Sequence, residues 1–227
     1  MGTVDHPADG PGEPQRQAGP SNGGRPRPPW DRPEQRAALP ELYDALTLLP
    51  NQTLLIDRLS MALTRTHRTG EPIGVVRCWI EPLDALRDSS GDEQADKVLT
   101  LVAKRLQRSV RTCDTVARAT GDEFILLLER LVDARDIQVV LDRVRSAMTD
   151  PVVVNGNEHA LTPIMGGVTT NDPMLEIDEL LDEAGRLLHE ARASDEHEPV
   201  IVDWTMRIFG DAAAALDSRP RRGDHPS

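Results

Sequence analysis

The stretch Thr115-Val-Ala-Arg-Ala-Thr-Gly-Asp-Glu-Phe-Ile-Leu-Leu-Leu-Glu129 decides the fold. Thr115 to Ala119 and Glu123 to Glu129 are short runs dominated by apolar and β-branched side chains, and each reads as a strand. Between them, Thr120-Gly121-Asp122 leaves room only for a tight connection built from turn-forming residues. The segment is a β-hairpin with a polar tip.

Upstream, Ala95, Val98, Leu99, Val102, Ala103 and Leu106 recur at helical spacing and predict a helix ending near Arg111. Ile73 to Ile80 (IGVVRCWI) reads as a strand. Asn51, after Pro50, is placed to cap a helix whose apolar residues Leu54, Leu55, Leu59, Ala62 and Leu63 run to about Arg68. Downstream, a helix is expected over Ala134 to Met148. A second hairpin, Val152 to Val154 and His159 to Leu161 around Asn155-Gly156, follows it. Strand Ile164 to Val168, helix Ile177 to Arg192 and strand Val200 to Val202 complete the set. Strands and helices in this order predict an α/β (α+β) fold: a central mixed, largely antiparallel sheet of about five strands flanked by helices, with a peripheral hairpin.

The first 39 residues and the segment from 206 to 227 differ in kind. Half of the chain's 18 prolines fall within the first 40 residues, among Gly, Gln, Arg and Asp. Such a segment buries too little apolar surface to offset its ordering entropy and is expected to be disordered. Arg25-Pro-Arg-Pro-Pro-Trp30 fits a polyproline ligand, but a plain linker is the favoured reading. The ordered region is expected over residues 40–205.

Composition excludes several function classes. A net charge of −12, with only three Trp, one Tyr and two Phe, gives neither a basic face nor stacking platforms for nucleic acid. The two cysteines, Cys78 and Cys113, lack companions at zinc-ligand spacing and read as reduced thiols. No export signal and no apolar run of roughly 18 residues are seen, so a cytoplasmic chain without membrane insertion is expected.

Several separated motifs now fall in register. Ala119-Thr-Gly-Asp-Glu-Phe124 resembles the signature turn of GGDEF (diguanylate cyclase) domains. Asp44-Ala-Leu-Thr47 with Leu49-Pro-Asn51 resembles that family's opening D-x-L-T-G-L-P-N, with Leu48 where the glycine belongs. Asp88, Gly91, Asp96 and Leu99 match N-D-x-x-G-H-x-x-G-D-x-x-L, whereas Arg87, Asp92 and Ala95 depart from it. The resemblance implies a GGDEF/nucleotidyl-cyclase-like fold and a family chemistry in which two GTP molecules condense to cyclic di-GMP across a dimer.

Phosphoryl transfer of this kind needs divalent cations held by carboxylates. The resemblance implies catalytic roles for Asp122 and Glu123, with Asp122 as a metal ligand, and nucleotide contacts from Gly121, Asp96 and Arg192. The partner carboxylate, from the first position of D-x-D-x-F-K-x-I-N-D, falls on Trp79, which cannot ligate Mg²⁺. Asp84 stands where the family has its lysine and would repel a triphosphate; Arg87 stands where it has a guanine-reading Asn. Glu81, two residues from Trp79 and so on its strand face, is a candidate replacement ligand. Mg²⁺ is expected only if GTP is bound.

Arg111-Thr-Cys-Asp114 sits in the register of the R-x-x-D inhibitory site through which many family members bind cyclic di-GMP. An Arg fork suits guanine O6 and N7, and an Asp accepts from guanine N–H groups. Against this, Arg130 to Asp133 and Arg192 to Asp195 spell the same pattern, and Arg111 and Asp114 also suit a helix end and a turn. The reading is a degenerate, catalytically impaired GGDEF domain that binds cyclic di-GMP (or GTP) and a partner protein. An active diguanylate cyclase and a nucleotide-independent scaffold are the alternatives. A homodimer is compatible with each.

Overall fold

A computed structural model describes residues 41–194 and 196–204; the polar tails expected at 1–39 and 206–227 lie outside these residues. Chain order is α1 (Gln52–Thr69), β1 (Ile73–Glu81), α2 (Leu83–Ser90), α3 (Asp92–Ser109), β2 (Thr115–Arg118), β3 (Glu123–Leu128), α4 (Asp136–Thr149), β4 (Val152–Val154), β5 (Asn157–His159), β6 (Thr162–Thr170), α5 (Ile177–Ala193) and β7 (Val200–Asp203). Five strands form one sheet in the order β2-β3-β1-β6-β7, antiparallel except for the parallel β6–β7 pair; β4 and β5 make a separate hairpin. This is the mixed, largely antiparallel arrangement that the sequence predicts.

Strand alternation sorts the core into two faces. Val76, Cys78 and Ile80 of β1, with Leu126 and Leu128 of β3, pack against α3 and α4 through Val98, Leu99, Val102, Leu141 and Val144. Ile73 and Val75, with Ile125 and Leu127, pack on the opposite face against α1 and α5 through Leu55, Leu59, Leu180, Ala184 and Leu187. Each fully buried Leu, Ile or Phe of this kind is worth about 1.5–3 kcal/mol over its exposed state. The same alternation sends Arg77 and Trp79 toward α5. Helix α5 lies close on β6 because residue 166 is glycine: a Cβ there would stand 2.0 Å from the Leu188 backbone nitrogen.

Local signals account for most boundaries. Asn51 caps α1 through its side chain, which accepts from the Leu54 N–H at 3.1 Å. Asn155 and Gly156 both take positive φ, 52° and 84°, so the turn closes after two residues and pairing begins at Asn157, earlier than the expected His159. Helix α4 starts at Asp136 instead of Ala134, because the Asp136 carboxylate collects the N–H groups of Val132 and Asp133 at 3.0 and 3.2 Å. Helix α2 is unforeseen in the sequence; its eight residues bury only Leu83 and Leu86, too few to show a period. Both cysteines are free thiols, and no helix among the described residues is long and apolar enough to cross a membrane.

Candidate functional site

The signature hairpin is braced from outside. Gly121 supplies the left-handed φ of 57° that the turn requires, and the Glu123 N–H donates to the Thr120 carbonyl at 3.1 Å. Arg118 donates through Nε and Nη2 to the Gly121 carbonyl at 3.1 and 2.9 Å, and through Nη1 to both oxygens of Asp44 at 3.0 and 3.2 Å. The opening motif and the signature turn are thus one structural unit, held by the Arg118 guanidinium and by the Arg118 N–H, which donates to the Pro50 carbonyl at 2.9 Å.

Asp122 follows the turn and points inward, only 1% exposed. Arg87, projecting from α2, donates to its Oδ1 at 3.2 Å, to Asp92 Oδ1 at 3.1 Å, and lies 3.5 Å from Asp96 Oδ1. One cation therefore gathers the expected metal ligand, Asp122, and the expected base contact, Asp96. Burial pushes the Asp122 carboxyl above its ordinary range, and the neighbouring Asp84 carboxyl adds to the rise, while Arg87 pulls it back. Asp122 Oδ2 is buried with no hydrogen-bond partner.

Glu123 and Arg192 face the other side. Glu123 is buried and ion-paired with Arg77, its β1 neighbour on the α5 face. Trp79 is the register partner of Glu123 across β1 and β3. It packs with Ile164, Leu188 and Ala191, and Arg192 covers its indole, with the guanidinium carbon 4.3 Å from the ring centroid. The family's two-acid metal cradle does not fit these residues. Its strand wall is an indole covered by a cation, and Asp122 is met by Arg87 instead of a strand carboxylate.

Arg111 and Asp114 lie at the far end of the hairpin. Asp114 is held in place by the backbone: its Oδ2 accepts the Arg111 N–H at 2.8 Å and its Oδ1 the Glu129 N–H at 3.1 Å. Burial nevertheless pushes its carboxyl up. Arg111 is exposed. Both residues line a small cleft with Leu131, Val140 and Arg143, and Arg143 also lines an adjoining groove of about 480 Å³ between α3 and α4 that includes Arg108, Asp142 and Ser146.

The structure joins Asp96 to Asp122 through Arg87, sets Glu123 and Arg192 on the opposite side of β1, and keeps Arg111 and Asp114 apart from both. Arg77, Arg143 and the clamping action of Arg87 are not evident in the sequence. Arg87 follows Asp84 by three residues, a spacing that puts both on one helical face, but only once α2 is known to be a helix.

Comparison with known proteins agrees with the fold. The family model "Diguanylate cyclase, GGDEF domain" matches residues 41–198. Among curated proteins, the bifunctional diguanylate cyclase/cyclic di-GMP phosphodiesterase MucR of Pseudomonas aeruginosa is 31% identical over 197 residues, covering 74% of this chain and 29% of MucR. Diguanylate cyclase TpbB of the same species is 30% identical over 149 residues, covering 66% and 33%. The chain thus spans no more than a third of either relative. Among solved structures, P. aeruginosa diguanylate cyclase SiaD, in complex with its activator SiaC, superposes with a TM-score of 0.67 at 27% identity over 74% of this chain and 65% of SiaD. The GGDEF domain of TpbB (YfiN) gives 0.63 at 26% over 69% and 98%. Residues 41–198 of this chain therefore belong to the GGDEF domain family of cyclic di-GMP signalling.

Proposed function

We propose that this domain is a catalytically impaired GGDEF domain that acts in cyclic di-GMP signalling by binding the dinucleotide and a partner protein. The observation that carries the reading is the double use of cations: Arg87 is spent on Asp122, Asp92 and Asp96, and Arg192 on Trp79. Groups that a triphosphate and its metal would need are neutralised within the protein, and the position of the family's phosphate-facing lysine is acidic Asp84. Incoming GTP and its metal would have to displace Arg87 from a buried carboxylate that it neutralises.

The cyclic di-GMP part rests on the Arg111 side. Asp114 Oδ1 takes both the Glu129 N–H and the Cys113 thiol, whereas Oδ2 accepts the Arg111 N–H and keeps a second lone pair for a guanine donor. Exposed Arg111, with Arg143 beside it in the same cleft, presents guanidinium forks suited to guanine and phosphate oxygens. SiaD, solved with its activator SiaC, supports a protein partner as a mode of control for such domains.

The reading is tested by calorimetric titration with cyclic di-GMP, alongside incubation with GTP and Mg²⁺ or Mn²⁺. Binding that is lost on Arg111→Ala, with no cyclic product, is expected. Retained Asp122 and Asp96 favour the second reading, an active cyclase; appreciable product abolished by Asp122→Ala would establish it. A phenotype left unchanged by joint mutation of Arg111, Asp114 and Asp122 would favour a nucleotide-independent scaffold.

A further inference from the structure

We infer that the open groove between α3 and α4 is a docking site for an acidic amphipathic helix of a partner protein. This deepens the partner-protein part of the proposed function and rests on it. The groove measures about 480 Å³ and runs along α4, where Val139, Arg143 and Ala147 recur every four residues and so form one stripe. That stripe is about 12 Å long, two turns of helix. Arg108 of α3 stands on the other side of the groove.

Charge is the first guide to the occupant. Elsewhere in the domain Arg65, Arg77, Arg87, Arg118 and Arg145 all hold carboxylates. Arg108, Arg143 and Lys104, which lies one turn before Arg108, are exposed and hold no carboxylate among the described residues. In a chain of net charge −12 these three, with exposed Arg111 just beyond the end of α3, make a local basic ridge. Asp142 is the one acid among the lining residues, and its carboxylate already accepts from the Gln138 side chain at 2.9 Å.

The apolar part of the stripe narrows the choice. Val139 is 48% exposed, and a phosphate backbone offers nothing to cover it. A bilayer takes up apolar side chains that protrude, whereas Val139 and Ala147 line a concavity. A helix with Leu-type residues at i, i+4 and i+7 covers the stripe, and Asp or Glu beside them meets Lys104, Arg108 and Arg143. The apolar contact supplies affinity, the charges orientation and association rate. Val139 and Arg143 also line the Arg111 cleft, so the docked helix lies against the dinucleotide site.

The test titrates the full chain into a fluorescein-labelled, Ala-based helical peptide of about 15 residues, with Leu at i, i+4 and i+7 and flanking Glu, read by anisotropy. Backbone amide NMR shifts map the contact. Saturable binding with Kd on the order of 10–100 µM is expected, shifting residues 104–111 and 139–147 first. Arg108→Glu, a surface change, should weaken it by roughly tenfold or more, and Arg68→Glu, which reverses an exposed cation of α1, by less than about twofold. Peptides with Lys for Glu, or Ser for Leu, should lose binding. The inference is overturned by absence of saturable binding, by shifts that fall outside the groove, by a Ser or Lys peptide that binds as tightly as the parent, or by equal weakening in the two protein variants. Cyclic di-GMP is titrated separately. Peptide binding without dinucleotide binding removes the dinucleotide reading and leaves the helix site standing, and the converse removes the helix site alone.

Discussion

Arg192 sets its guanidinium carbon 4.3 Å from the centroid of the Trp79 indole, joining the last turn of α5 to β1 across the face where Arg77 pairs with Glu123. A cation over a half-buried ring contributes about 0.5–1 kcal/mol. Arg192→Ala is expected to lower unfolding free energy by that amount in urea denaturation, and Arg192→Lys by less. Unchanged stability in Arg192→Ala would mean that the two groups are merely adjacent.

Restoring the family's residue types should reopen the nucleotide site. Trp79→Asp frees Arg192 and supplies the strand carboxylate, Asp84→Lys returns a phosphate-facing cation, and Arg87→Asn releases Asp122 and Asp96. The triple variant is expected to bind GTP in the presence of Mg²⁺ at least about tenfold more tightly than the wild type, read by calorimetry. A folded triple variant with no gain would place the barrier elsewhere than in these three positions.

Asp44 gives the fold a defined acid limb. Burial pushes its carboxyl up, but the Thr47 hydroxyl and N–H at 2.6 and 2.8 Å, together with Arg118, hold it below the ordinary 3.8. A group whose folded-state value is depressed stabilises the fold above the unfolded value and loses that contribution as pH falls through the folded one. Asp44→Asn should therefore cost about 1–3 kcal/mol at pH 6 and progressively less below pH 3.8, as measured by urea denaturation across the range. Asp114, Asp122 and Glu129, which burial pushes the other way, remain in both proteins and cancel in the difference.

Gly166 is where the sheet admits α5. Gly166→Ala puts a methyl 2.0 Å from the Leu188 nitrogen and 2.4 Å from the Leu187 carbonyl carbon, both backbone atoms that yield only if the helix moves. A loss of about 3 kcal/mol or more is expected. Gly121→Ala, with φ of 57° but open space around its Cβ, should cost only about 1 kcal/mol. Equal urea midpoints for the two variants would contradict the close helix–sheet contact.

The amino-acid order alone determined the elements whose cause is local. The apolar, β-branched run Ile73 to Ile80 and the periods of α1, α3 and α5 are visible because many neighbouring side chains report on burial together. Asn51 and Asn155-Gly156 are legible because capping and two-residue turns are chemistry between near neighbours. The signature hairpin, with Asp122 at its tip, is legible for the same reason.

Only the tertiary structure decided who neutralises whom. Arg87 meets Asp122 across 35 positions of sequence, and Arg192 reaches Trp79 because Gly166 lets α5 settle onto β6. Helix α2, too short to show a period, is what turns Asp84 and Arg87 toward the hairpin. The partners of a buried charge follow from packing, which brings together residues whose types in the sequence carry no record of each other.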